Sequence, residues 1–261
     1  MKSSTTPVRI YDAKNDYTWS IPRKRIHAIV AQVNECWVAN VVVPEAICRE
    51  LIHLPFLEPK PTPAGYVLSI CAIFMKHSAP TWLPLRMGPA SQNCALSIAC
   101  TDVRDGTSVT WIDHRYSDNA LAEALAKLGL FQIRAKLKVE HGRDMYRHRQ
   151  LSMYTLDNMI DFRLVEYPEA QSIEPTAFTD AKMFQEYYTE GTLQYGPGNS
   201  DDSCMMVDVH SCGYSHFELM SRYYGYLRTA WGNWKVDGVY RSCNGTYEWR
   251  YNGDVSMDHR G

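Results

Sequence analysis

Apolar positions along this chain fall mostly into short runs of period two broken by turn residues, the signature of strands rather than of long amphipathic helices. Arg25 to Gln32 and Cys36 to Val43 read as two strands. Pro44 to Ile52 reads as a short helix, with Pro44 in its first turn and apolar residues at 47, 48, 51 and 52 on one side. Leu54 to Pro63 holds four prolines and must be a connection. Ala64 to Met75 returns to strand character, and His77 to Asn93 is loop-like, marked by Pro80, Pro84, Gly88 and Pro89. Cys94 to Val103 and Ser108 to Asp113 flank Asp105-Gly106, a strong hairpin signal. Asp118 to Leu130 is the clearest helix, with Ser117 or Asp118 as N-cap, Leu121, Leu125 and Leu128 on one face and Gly129 as its stop.

Phe131 to Glu140 alternates as a strand, Tyr146 to Leu156 is ambiguous between strand and loop, and Asp161 to Tyr167 is again strand-like. A short helix ending at Gly191, a strand over Cys204 to Val209, and a helix or helical turn over His216 to Tyr226 follow. The end, Trp231 to Trp249, reads as two strands around Asn233 to Gly238. Residues 1 to 24 are polar and form a loose arm. With no repeat, low-complexity tract or long linker, residues 25 to 261 make one mainly β (α+β) domain, a closed or strongly curved sheet with an internal pocket.

Composition narrows the function. The chain has 261 residues, 45% apolar and 21% charged, with a net charge of −2, so it can bury a core and carries no electrostatic footprint for nucleic acid or a membrane surface. Its 17 Tyr and 7 Trp suit half-buried sheets and pocket walls. Eight cysteines without a CxxC pair, most inside apolar runs, read as reduced buried thiols. The N-terminus has no secretory pattern and no segment is apolar enough to span a bilayer, which implies a cytoplasmic location. Phosphate-loop, dinucleotide, nucleophile-elbow and HExxH patterns are absent, and the histidines have no ligand spacing, so no metal or cofactor is expected. The partner expected is a small-molecule substrate, with a homo-oligomer left open.

Arg134, Lys136 and Lys138 alternate with Ala135, Leu137 and Val139, so on a strand the cations share one face. That face is either solvent-exposed or, in a barrel, turned inward. Inside, a lysine beside an arginine is desolvated and repelled, which depresses its pKa as a Schiff-base amine requires; the same cations also suit a carboxylate.

Several segments in order resemble the acetoacetate decarboxylase-like superfamily, nearest its branch of unknown function. They are Val43-Pro44-Glu45-Ala46, the proline-rich stretch within Ile73 to Pro89, the Asp105-Gly106 hairpin, Asp118-Asn119-Ala120-Leu121-Ala122, Leu128-Gly129-Leu130, His216-Phe217-Glu218-Leu219 with Arg222-Tyr223, and Val239-Tyr240-Arg241. The resemblance implies a closed antiparallel β-barrel with peripheral helices and a central cavity, and a lyase acting on an oxo-acid. Arg134 falls nearest the place of the family's Schiff-base lysine, and Lys136, on the same face, is the substitute amine; Arg134 then holds the substrate carboxylate. Where the family's pocket glutamate belongs, this chain reads Ser91-Gln92-Asn93-Cys94, with no carboxylate. Gln92, Asn93, His114, Tyr116 and Lys138 are the expected substrate-binding residues. A non-covalent cyclase or isomerase, and a non-catalytic binding protein, are the alternatives.

Overall fold

The computed structural model describes residues 8–12, 17–21, 27–121, 136–143, 145–168, 174–189, 192–198, 203–212 and 216–256. Seven strands close into a barrel: β3 (Ala28–Val43), β6 (Gly65–Pro80), β7 (Ser91–Asp102), β8 (Ser108–Ser117), β12 (Leu193–Pro197), β13 (Ser203–Cys212) and β17 (Gly238–Ser256). The ring runs β17-β13-β12-β8-β7-β6-β3 and shuts because β3 pairs along β17 from Asn40↔Gly238 to Ala28↔Arg250. Six of its seven pairings are antiparallel; β12 lies parallel to β8 through Gln194↔Thr110 and Tyr195↔Trp111, which makes the barrel mixed rather than wholly antiparallel.

The two strands expected at 25–43 are one long strand, and β6 continues to Pro80 through what reads as loop, because pairing with β3 extends to Ile29↔Pro80. Part of the polar N-terminus pairs as well: β1 (Val8–Asp12) and β2 (Tyr17–Ile21) form a hairpin whose second strand adds to β17. The hairpin around Asp105-Gly106 is present, with Gly106 at φ +79° and Asp102 N–H donating to the Thr107 carbonyl. Short pieces complete this layer: α1 (Glu45–Leu51), β4 (Leu57–Pro59) on β7, β5 (Pro61–Thr62) on β6, and β14 (Glu218–Leu219) on β17.

A second, five-stranded sheet in the order β16-β15-β11-β10-β9 covers the outside of the barrel: β9 (Leu137–Arg143), β10 (Arg149–Thr155), β11 (Ile160–Glu166), β15 (Tyr223–Thr229) and β16 (Gly232–Lys235). The helix expected over His216 to Tyr226 is strand instead, because Glu218–Leu219 pairs with Arg241 and Tyr240, and Tyr223 onward pairs with β11. The helix expected over 118 to 130 lies largely outside the described residues.

Alternation along the barrel strands separates two cores. Outward residues such as Ala39, Leu68, Ile70, Leu96, Ile98 and Trp111 pack with Leu151, Met153, Phe162 and Leu164 of the second sheet. Inward residues Val38, Val67, Cys71, Ala95 and Ile112 meet Phe178 and α2 (Ala181–Thr189). Asp180 caps α2 by accepting the Met183 N–H at 2.8 Å, and Phe184 stacks on Tyr240 with centroids 4.0 Å apart. This helix plugs one end of the barrel and turns Tyr188 and Gln185 toward its interior. Among the described residues no helix is long and apolar enough to cross a membrane.

Candidate active site in the barrel cavity

Each of the seven ring strands contributes inward side chains to a cavity of about 400 Å³ inside the barrel. Its walls include Val33, Val38, Cys71, Ile73, Met75, Asn93, Ser97 and Ile112, with α2 at one end and the exposed His210 on the rim.

Arg115 is the cation of this cavity. It reaches the interior because β8 carries a bulge: Leu96 pairs with His114 but Ser97 pairs with Ile112, leaving Asp113 as an extra residue. The inward parity of Thr110 and Ile112 therefore passes to Arg115. Its Nη2 donates to Gln194 Oε1 at 3.1 Å, a neutral acceptor supplied by the parallel strand β12. Burial works against the charge and draws the Arg115 pKa down to about 9, which still leaves the guanidinium cationic at neutral pH. A desolvated, forked donor facing a cavity is suited to bind a carboxylate bidentately.

Neutral hydrogen-bonding groups occupy the end closed by α2. The Tyr188 hydroxyl hydrogen-bonds Ser97 Oγ and lies 3.4 Å from Cys71 Sγ, which is itself 3.6 Å from Ser97. Burial, reinforced by Cys71, pushes the Tyr188 phenol well above its ordinary pKa, and burial raises the Cys71 thiol too. Both stay protonated at neutral pH, so this group offers hydrogen-bond donors rather than a nucleophile. Cys36 and Cys94 also border the cavity with thiols pushed up by burial. Among the described residues no three His, Cys, Asp or Glu side chains come together to hold a metal ion.

Of the residues expected from the sequence, Asn93 and Tyr116 line the cavity. Tyr116 does so while packing mainly in the outer core. Gln92 and His114 do not line it. The bulge leaves His114 on the outer side, where Nδ1 contacts the Asp113 carboxylate and its ring lies 6.3 Å from Trp231. Lys136 and Lys138 are exposed, Lys138 with Nζ 5.7 Å from the Tyr154 ring. The strand expected as pocket wall is instead an edge of the second sheet, and its apolar residues Leu137 and Val139 face the core between the layers. The cations are left on the solvent face, which corrects their expected lumenal placement. Arg134 lies outside the described residues. Arg115, Gln194 and Tyr188 were not among the expected residues. The one usable signal was an arginine between two such positions, and only the bulge reveals which of them turns inward.

No protein-family model matches this chain, and no curated protein matches it in sequence. Among solved structures, an acetoacetate decarboxylase-like enzyme from Sphingomonas wittichii RW1 superposes with a TM-score of 0.54 at 13% identity, over 88% of this chain and 93% of that one. The acetoacetate decarboxylase of Legionella pneumophila gives 0.55 at 11% identity over 93% and 92%. The enduracididine biosynthesis enzyme MppR, complexed with pyruvate, gives 0.54 at 10% identity over 90% and 91%. The fold is thus acetoacetate decarboxylase-like, a mainly β architecture around a closed mixed barrel.

Proposed function

We propose that this chain is a small-molecule enzyme of acetoacetate decarboxylase-like type that holds an oxo-acid in the barrel cavity by its carboxylate and works on it without a Schiff base. The inward-facing Arg115 guanidinium is the observation that carries this reading. Pyruvate, the ligand of MppR in one neighbour, belongs to the same chemical class.

No lysine among the described residues lines the cavity, and Lys136 is exposed, so activation by hydrogen bonding replaces an imine. With the carboxylate on Arg115, the Tyr188 phenol can donate to the substrate carbonyl oxygen, and His210 on the rim can take a proton from the carbon beside it. The product of that step is an enolate whose oxygen accepts the Tyr188 O–H, with the abstracted proton held on the imidazole. Carbon–carbon lyase or isomerase chemistry follows from such an enolate. Decarboxylation is disfavoured: a cation on the departing carboxylate stabilises the ground state more than the transition state toward neutral CO₂.

The test is solvent deuterium exchange at the methyl carbon of pyruvate, followed by NMR. Exchange should be lost in Arg115→Gln and strongly reduced in Tyr188→Phe, retained in Lys136→Ala, and free of CO₂ release. A borohydride-trapped lysine adduct would overturn the non-covalent reading.

A further inference from the structure

Ring order sets what stands across the lumen from Arg115. Counting from β8, three steps one way reach β17 and three the other way reach β3, so the paired β3 and β17 form the wall opposite the guanidinium. That wall is aromatic and aliphatic. Val33 comes from β3, and Tyr247 and Trp249 from β17, their rings stacked with centroids 5.9 Å apart. Val209 of β13 sits directly across the ladder from Trp249, and Met75 of β6 packs in the same cluster. One side of the cavity therefore recognises an anion and the other an apolar ring or chain.

Volume agrees with this division. At about 30 Å³ per water, a cavity of about 400 Å³ equals roughly thirteen waters. Pyruvate has six non-hydrogen atoms and fills less than half of it even if each took a full water's volume. The cavity falls within the roughly 300–1,000 Å³ range of sites that bury drug-sized ligands.

We infer that the substrate is an amphipathic carboxylate, its acid group on Arg115 and an aryl or comparably bulky apolar group against Tyr247, Trp249, Val209 and Met75. This rests on the carboxylate-anchor reading above and adds the substituent class.

Calorimetric titration of the full chain with phenylpyruvate, pyruvate and phenylacetone separates the two layers. Phenylpyruvate should bind about 10- to 100-fold more tightly than pyruvate, the gain expected from burying a phenyl ring. Phenylacetone, which keeps the ring and carbonyl but lacks the acid, should bind at least tenfold more weakly than phenylpyruvate. Trp249→Ala should reduce the phenylpyruvate-to-pyruvate ratio to below about 5. Should that variant fail to fold, Val209→Trp, which fills the same wall without removing a ring, should lower the ratio likewise. If the two acids bind within twofold of each other and both are lost in Arg115→Gln, the anchor stands and the apolar-wall inference fails. If neither acid binds, or both are indifferent to Arg115→Gln, the anchor reading fails and this inference falls with it.

Discussion

Gly196 gives the sharpest lever on the anchor. It lies on β12, where an added Cβ would stand 2.8 Å from the Ile112 carbonyl oxygen and 3.4 Å from Arg115 Nη1. The first contact is with backbone, so Gly196→Ala requires β12 to move off β8 at the parallel seam of the barrel. That seam is held by only two registered pairs among the described residues. Overpacking of this kind costs about 1–3 kcal/mol. At roughly 2–4 °C per kcal/mol for a domain near this size, thermal unfolding followed by circular dichroism should shift down by about 2–12 °C. The same movement displaces the guanidinium and Gln194 together. A charge-assisted hydrogen bond contributes about 1.5–3 kcal/mol, so partial loss of it should weaken carboxylate binding about 3- to 10-fold by calorimetry. Gly225→Ala is the control: its Cβ would lie 2.0 Å from the Arg163 carbonyl in the second sheet, so it should destabilise without weakening binding. In an Arg115→Gln background, Gly196→Ala should still lower the melting temperature but no longer change the residual affinity. A full affinity effect persisting there would refute Arg115 as the mediator.

Other consequences follow from the surrounding chemistry. Burial raises the Glu35 pKa, but the Trp37 indole at 2.9 Å and Arg241 at 2.7 Å outweigh it and hold the carboxyl below its ordinary value of 4.5. A depressed folded-state pKa gives stability that is present above the unfolded value and lost as pH falls through the folded one, so Glu35→Gln should flatten the acid limb of a urea-stability profile below about pH 5. Burial pushes the Cys48, Cys100 and Cys204 thiols up to about 12, so in the native protein they should stay unlabelled by a chromogenic disulfide at pH 8 and react only in guanidinium. Rapid native labelling at these positions would contradict the packing. Asp237 accepts hydrogen bonds from the Thr176 N–H at 2.9 Å, its hydroxyl at 2.6 Å and the Ala177 N–H at 3.0 Å. Asp237→Ala should therefore cost about 1–3 kcal/mol in chemical denaturation, since it leaves these donors without their acceptor.

The strand content, the α1 helix and the Asp105-Gly106 hairpin were legible because each is specified locally, by period, by a proline in a first turn and by a turn dipeptide. Elements specified by distant partners were not. Leu219 and Tyr223, four residues apart, have a spacing that suits one helical face, yet β14 and β15 are strands because β17 and β11 offer them unfilled ladders. The alternation at Lys136 and Lys138 was read correctly as two faces; which face looks inward depends on the strand belonging to the second sheet rather than the barrel, a matter of topology that no local pattern carries.

The bulge at Asp113 goes further, since it decides the chemistry of the cavity and not only its shape. Strict alternation from Ile112 would turn His114 and Tyr116 fully inward and Asp113 and Arg115 outward, placing an imidazole in the lumen. One inserted residue reverses the choice: the His114–Asp113 pair is sequestered on the outer side beside Trp231, and a guanidinium takes the interior position next to Gln194. An imidazole and a guanidinium are thus alternative occupants of the interior position, one residue apart on the same strand. Fold similarity at 10–13% identity therefore transmits the barrel but not its contents, because a shift of one residue in one strand exchanges every side chain beyond it between the cavity and the outer core.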